Sequence, residues 1–155
     1  MGRASAALTL PGVRIADAEA LWYDLTRWPA FVEGFKHVVR VDDDWPAAGS
    51  VLVWDSVADG RGRVTEAVRS HVQREGQVAE IEDPRIVGEQ AVRFAPGGTA
   101  DAPEVRISLT LAYELRDRSL LSPVTDLLFI RGAQADALRR TLLRFARELE
   151  AEREL

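Results

Sequence analysis

Two histidines, a few carboxylates on alternating segments and one arginine in an apolar helical stripe are the residues of this chain whose types could do chemistry. The histidines, His37 and His71, lie on different extended segments, and the chain has no cysteine. Zinc needs three or four close nitrogen, sulfur or oxygen ligands, so no metal site is expected. Asp42-Asp43-Asp44 carries the charge for calcium, but it has no correctly placed glycine and no distal bidentate glutamate, and a solvated turn is expected there. No Gly-x-Ser-x-Gly elbow occurs. Pro96-Gly97-Gly98 falls between two strands, not between strand and helix, so it is not a phosphate cradle. No cofactor is expected, and no catalytic residue stands out.

A histidine beside a carboxylate can serve as a general base. By strand alternation His71 keeps step with Arg69 and Gln73, opposite Val68 and Val72, and is expected on the surface. His37 keeps step with Val39 and Val41 and is expected to turn inward. Glu66 alternates with Val64, Val68 and Val72, an otherwise apolar face. Glu80 keeps step with Val78, and Glu82 continues that side.

Arg131 is the residue that turns these carboxylates into a hypothesis. It stands in the run Leu128, Arg131, Ala135, Leu138, Leu142, Phe145 and Leu149, spaced by threes and fours like one face of an α-helix. A buried guanidinium must be offset by carboxylates or ligand oxygens. The expectation is therefore an internal pocket whose polar end pairs Arg131 with Glu66 first and Glu80 second, walled by Trp54, Phe94 and Tyr113. The competing reading lays the Arg131 stem along the helix with its head in water, and lets a bulge turn Glu66 to solvent. Each aromatic on its own is equally compatible with plain core packing, as Trp22 and Trp28 are.

The elements that must position these residues follow from the period of the pattern. Ser5 to Leu10 alternates as a first strand. Asp17 is expected to cap a helix through Leu25, with Glu19 in its positive first turn. Pro29 opens a second, short helix through Phe31 and Val32 that ends at Gly34. From Lys36 the period becomes two, over Val39 to Val41, Val51 to Trp54, Val64 to Val72, Val78 to Ile81, Ile86 to Phe94 and Val105 to Leu115. The joints are short and rich in Gly, Pro and Asp, which makes neighbouring strands antiparallel. Ser122 and Pro123 are expected to open the last helix, and Gly132 inside it marks a bend or a close backbone approach.

A single domain over residues 1–155 is expected, because there is no repeat and no linker. The net charge is -5 and the pI about 5.1, which argues against a nucleic-acid phosphate backbone as partner. No signal peptide and no transmembrane span is read from the sequence, and a cytoplasmic location is expected.

In their order, Ala18-Glu19-Ala20-Leu21-Trp22-Tyr23-Asp24-Leu25, Trp28-Pro29-Ala30-Phe31, Val38-Val39-Arg40-Val41, Gly49 before a strand, and Ser122-Pro123-Val124-Thr125-Asp126-Leu127-Leu128-Phe129 ahead of a basic helix resemble the SRPBCC (START-like) superfamily, and within it the polyketide cyclase/dehydrase-like branch. The resemblance covers essentially the whole chain. It implies an α+β helix-grip fold: a curved antiparallel sheet of about seven strands wrapped around a long C-terminal helix, with two short helices after the first strand. It also implies an internal pocket for a hydrophobic or aromatic molecule, without implying one activity. Three functions remain open at this stage: binding or transport of such a molecule, a polyketide cyclase/aromatase-like enzyme, and a protein-interaction module with a filled interior.

Overall fold

The computed structural model describes residues 2–116 and 125–153. Strand β1 (Gly2–Pro11) leads into helix α1 (Ile15–Tyr23), a 3-10 turn (Leu25–Arg27) and the short helix α2 (Trp28–Phe31). Strands β2 (Phe35–Val41), β3 (Val51–Ser56), β4 (Arg63–Val72), β5 (Gly76–Glu82), β6 (Ile86–Gly98) and β7 (Pro103–Leu115) follow, then helix α3 (Thr125–Arg153). All pairings are antiparallel, in one seven-stranded sheet of order β1-β7-β6-β5-β4-β3-β2. The expected Ser122 cap and Pro123 lie outside the described residues.

Strand β7 shows why the sheet has an inside. Val105, Ile107, Leu109, Leu111 and Tyr113 are all at most 1% exposed, while Arg106, Thr110 and Glu114 between them face solvent. Helix α3 answers with Leu138, Leu142, Phe145 and Leu149, which join the same buried cluster. It packs along β1 and α2. Helices α1 and α2 plug one end through aromatic edges: Phe145 meets Trp22 at 5.4 Å and Phe31 at 5.2 Å between ring centroids. The indole N–H of Trp28 donates to the carbonyl of Trp22 at 2.7 Å, which satisfies it inside the plug.

The start of α1 departs from the expected cap. The helix begins at Ile15, Arg14 holds the cap position without a side-chain bond, and Asp17 sits in the first turn. Glu19 is buried instead of lying along the surface, and its carboxylate accepts from the backbone N–H and the guanidinium of Arg74. The carboxylate that does cap is Asp24, which accepts from Thr26 N at 3.1 Å to start the 3-10 turn.

Both histidines face opposite to the direction that alternation gave. A register shift between Val68 and Ser70 reverses the parity of the end of β4. Val72 is thereby 50% exposed, and His71 turns in to meet the ring of Tyr23 edge-on at 4.9 Å. Shifts on either side of Val38 do the same to β2, so His37 is exposed with its Nε2 at 3.4 Å from Asp55. Glu80 is corrected for another reason. The inward set on β5 is Gln77, Ala79 and Ile81, so Glu80 lies on the outer face beside Arg69 at 3.5 Å. Gly132 faces open space, and no close backbone approach requires it. No helix among the described residues is long and apolar enough to cross a membrane.

Candidate functional site

The inner faces of β3 and β4 bring an indole and a carboxyl together. The register pairs Leu52 with Glu66 and Trp54 with Val64, so Trp54 and Glu66 are diagonal neighbours on the buried side. Trp54 Nε1 donates to Glu66 Oε2 at 2.7 Å. Glu66 is 5% exposed. Burial pushes its carboxyl above the ordinary 4.5, and the indole bond and the positive charge of Arg61 oppose that only in part.

Arg61, in the β3–β4 turn, was not singled out from the sequence. Its guanidinium carbon lies 6.0 Å from the centroid of the Trp54 ring, and its Nε donates to Asp83 Oδ2 at 2.9 Å. Its Nη2 is buried and has no hydrogen-bond partner among the described residues. Asp83 is 3% exposed, and its other oxygen accepts from the N–H groups of Arg85 at 2.8 Å and Ile86 at 2.9 Å. One carboxylate therefore closes the β5–β6 turn and pins the arginine.

Two adjacent spaces that share lining residues surround this constellation. The inner one, about 50 Å³, is lined by Trp22, Trp28, Trp54, Glu66, Gln90, Leu109, Leu111, Gln134 and Leu138 among others. The outer one, about 300 Å³, opens between the β3–β4 turn, the β5–β6 turn, the Glu33–Gly34 loop and the Ile130–Ala137 stretch of α3. Glu33, Arg61, Gln134 and Ala137 line both, so Arg61 stands at the boundary between vestibule and interior. The rim is tied across by Arg140 and Arg144 of α3, which both reach Glu33, and by Glu33 N donating to Thr141 Oγ1 at 3.0 Å.

Of the residues named from the sequence, Trp54 and Glu66 meet in the inner cavity. Phe94 is buried but packs on Tyr23, at 6.4 Å between centroids, and does not line it. Tyr113 is buried further along β7, its ring lying where a Cβ on Gly2 would come within 2.4 Å. Its hydroxyl has no partner among the described residues, and burial raises its pKa against the positive charge of Arg131. Arg131 itself is exposed, and the cation whose field reaches Glu66 is Arg61. Ile130, Gln134, Ala137 and Thr141 of α3 line the two spaces instead, while Ala135 packs against the core. Glu80, on the outer face, is remote from this cavity. Gln90 was legible in principle, since it alternates with Ile86, Val92 and Phe94 on the buried side of β6. Asp83 preceded a proline and read only as a turn.

No family model matches the chain, and no curated protein does. Solved structures do. A conserved protein from Geobacillus kaustophilus is similar at a TM-score of 0.74 and 9% identity, over 96% of this chain and 95% of that one. The Zhui aromatase/cyclase from Streptomyces sp. R1128 is similar at 0.71 and 14% identity, over 96% and 93%. A START superfamily protein from Mycobacterium smegmatis is similar at 0.64 and 15% identity, over 96% and 99%. At such low identities the likeness is one of fold: this chain has the helix-grip fold of the START-like, SRPBCC proteins, as its sequence motifs implied.

Proposed function

We propose that this protein binds a small hydrophobic or aromatic molecule whose apolar body fills the vestibule and whose polar end points toward Glu66 and Arg61. The observation that carries this reading is the buried, partnerless Nη2 of Arg61 where a vestibule of mixed apolar and charged lining meets an interior cavity. A concave apolar site with a few convergent polar groups is the usual form of a small-molecule site. The same fold carries an aromatase/cyclase and a START superfamily protein, which makes ligand binding a consistent use of it.

A titration with 8-anilinonaphthalene-1-sulfonate tests the reading. Its fluorescence should rise saturably and be competed by small aromatic compounds. Ala137→Trp, placed where vestibule and cavity meet, should abolish the saturable signal while leaving the melting transition cooperative. Linear, non-saturating dye fluorescence would overturn the reading.

A cyclase-like reaction is a second reading, favoured by a carboxyl raised in pKa next to a cation. Enolisation and water loss call for a base as well as an acid. The described lining offers Glu66 as acid, while the second carboxylate there, Glu33, is engaged by two arginines. Binding is therefore the reading put forward.

A further inference from the structure

We infer that the ligand is a hydrophobic monocarboxylate that enters head first, one carboxylate oxygen on Arg61 Nη2 and the other on the carboxyl O–H of Glu66. This rests on the reading of the cavity as a ligand site, and it names the class of ligand.

The size of the two spaces sets the orientation. The inner cavity, about 50 Å³, is far smaller than the roughly 150 Å³ of a cavity that takes up benzene. It admits a head group and excludes a ring. The vestibule, about 300 Å³, has room for the body and offers it Val57, Ile86, Ile130, Ala133 and Ala137, with charged residues such as Asp59 and Arg85 also in its lining.

Arg61 and Glu66 both line the inner cavity. Arg61 Nε is engaged by Asp83, and its Nη2 is buried without a partner among the described residues. Glu66 accepts the indole N–H on Oε2, which leaves Oε1 to carry its proton and to donate. An N–H of Arg61 and the O–H of a protonated Glu66, lining one cavity, match the two oxygens of one carboxylate. An ionised Glu66 would repel that carboxylate, and burial in the Trp54 pocket favours the neutral form. Of the other charged groups, Asp59 and Arg85 line only the outer space, while Asp83 and Glu33 are already engaged. Asp83 from the β5–β6 turn accepts three hydrogen bonds, and Glu33 from the α2–β2 loop is held by Arg140 and Arg144 of α3. Gln90 and Gln134 are uncharged.

The test compares two probes of similar shape, naphthalene-2-carboxylate and 2-methylnaphthalene, by competition at pH 7. The carboxylate should bind at least tenfold more tightly. Arg61→Met should erase that preference. Glu66→Leu, which removes a donor, should lower it about fivefold or more. A preference unchanged or raised in Glu66→Leu would mean that Glu66 repels the head group, and would overturn the proposal. So would equal binding of the two probes, with the ligand site itself intact. If neither probe competes, the cavity is not a ligand site and both readings fall together. Should Glu66→Leu fail to fold, the wild-type preference and its loss in Arg61→Met still decide.

Discussion

Trp54 and Glu66 are diagonal neighbours across β3 and β4, and the indole N–H donates to a carboxyl whose pKa burial raises. Burial favours the neutral carboxyl because a charge in the core is costly, and the bond satisfies the indole in either state.

That arrangement has a cost that depends on pH. The folded pKa of Glu66 lies above its ordinary 4.5. Between those values the folded protein holds a proton that the unfolded chain has released, so stability falls as pH rises. The contribution is whole below the unfolded pKa and is lost as pH rises through the folded one. Glu66→Gln should therefore equal the parent at pH 4 and gain on it steadily toward pH 8. Urea melts across that range check it. A parent that gains on the variant as pH rises would show that Glu66 is ionised in the fold.

The long helix makes a contrast between adjacent leucines. Leu142 is 1% exposed and Leu143 46%. Leu142→Ala should cost roughly 2–5 kcal/mol through the cavity it opens. Leu143→Ala should stay within ~0.5 kcal/mol, as surface changes do. Denaturant melts giving similar losses for both would mean that α3 is rotated from the face described.

The buried half of α3 was legible and the pocket half only in part. Leu149, Phe145, Leu142 and Leu138 are buried as their spacing requires, and Ala135 is partly buried. Extending the stripe back by seven residues reaches Arg131, only about 20° round the helix from Leu138, yet it is exposed, as a guanidinium that can reach water prefers to be. Steps of four from Leu138 lead to Gln134 and Ile130, which are partly buried and line the pocket. Strand parity worked for Glu66 because it precedes the shift at Val68, and failed for His71 because it follows it. Arg61 and Asp83 come from turns, where no period exists to read. Their partnership is a contact between residues 22 positions apart that only the fold supplies.

Asp83 offers a test of that partnership. Asp83→Asn keeps an oxygen for Arg85 N and Ile86 N but turns an N–H donor, in place of an acceptor, toward Arg61 Nε. Loss of a charge-assisted bond to a buried partner should cost about 1–3 kcal/mol. Freed from its pin, Arg61 should also hold an anionic probe less tightly, by several-fold, because the guanidinium must then be ordered on binding. Parallel melts and probe titrations measure both. A stable variant with full affinity would mean that Asp83 positions nothing.

The last prediction concerns the plugged end of the sheet. Tyr23 Oη and His71 Nε2 are both buried without a hydrogen-bond partner among the described residues, and their rings meet edge-on at 4.9 Å. Burial, with the negative charge of Glu19 behind it, pushes the Tyr23 pKa up, so the hydroxyl stays protonated and carries an unused donor. An unsatisfied buried polar group costs ~1–3 kcal/mol, and replacing it by an apolar group of the same shape is close to neutral or stabilising. The Tyr23 ring keeps its contacts with His71 and Phe94 when only the oxygen is removed. The Trp45 indole is unaffected, because it donates to the backbone carbonyl of Tyr23 at 3.2 Å. Tyr23→Phe should thus match the parent or gain up to ~1 kcal/mol in a urea melt. A loss above ~1 kcal/mol would show that the hydroxyl has a partner, with a bridging water between Tyr23 and His71 the first to seek.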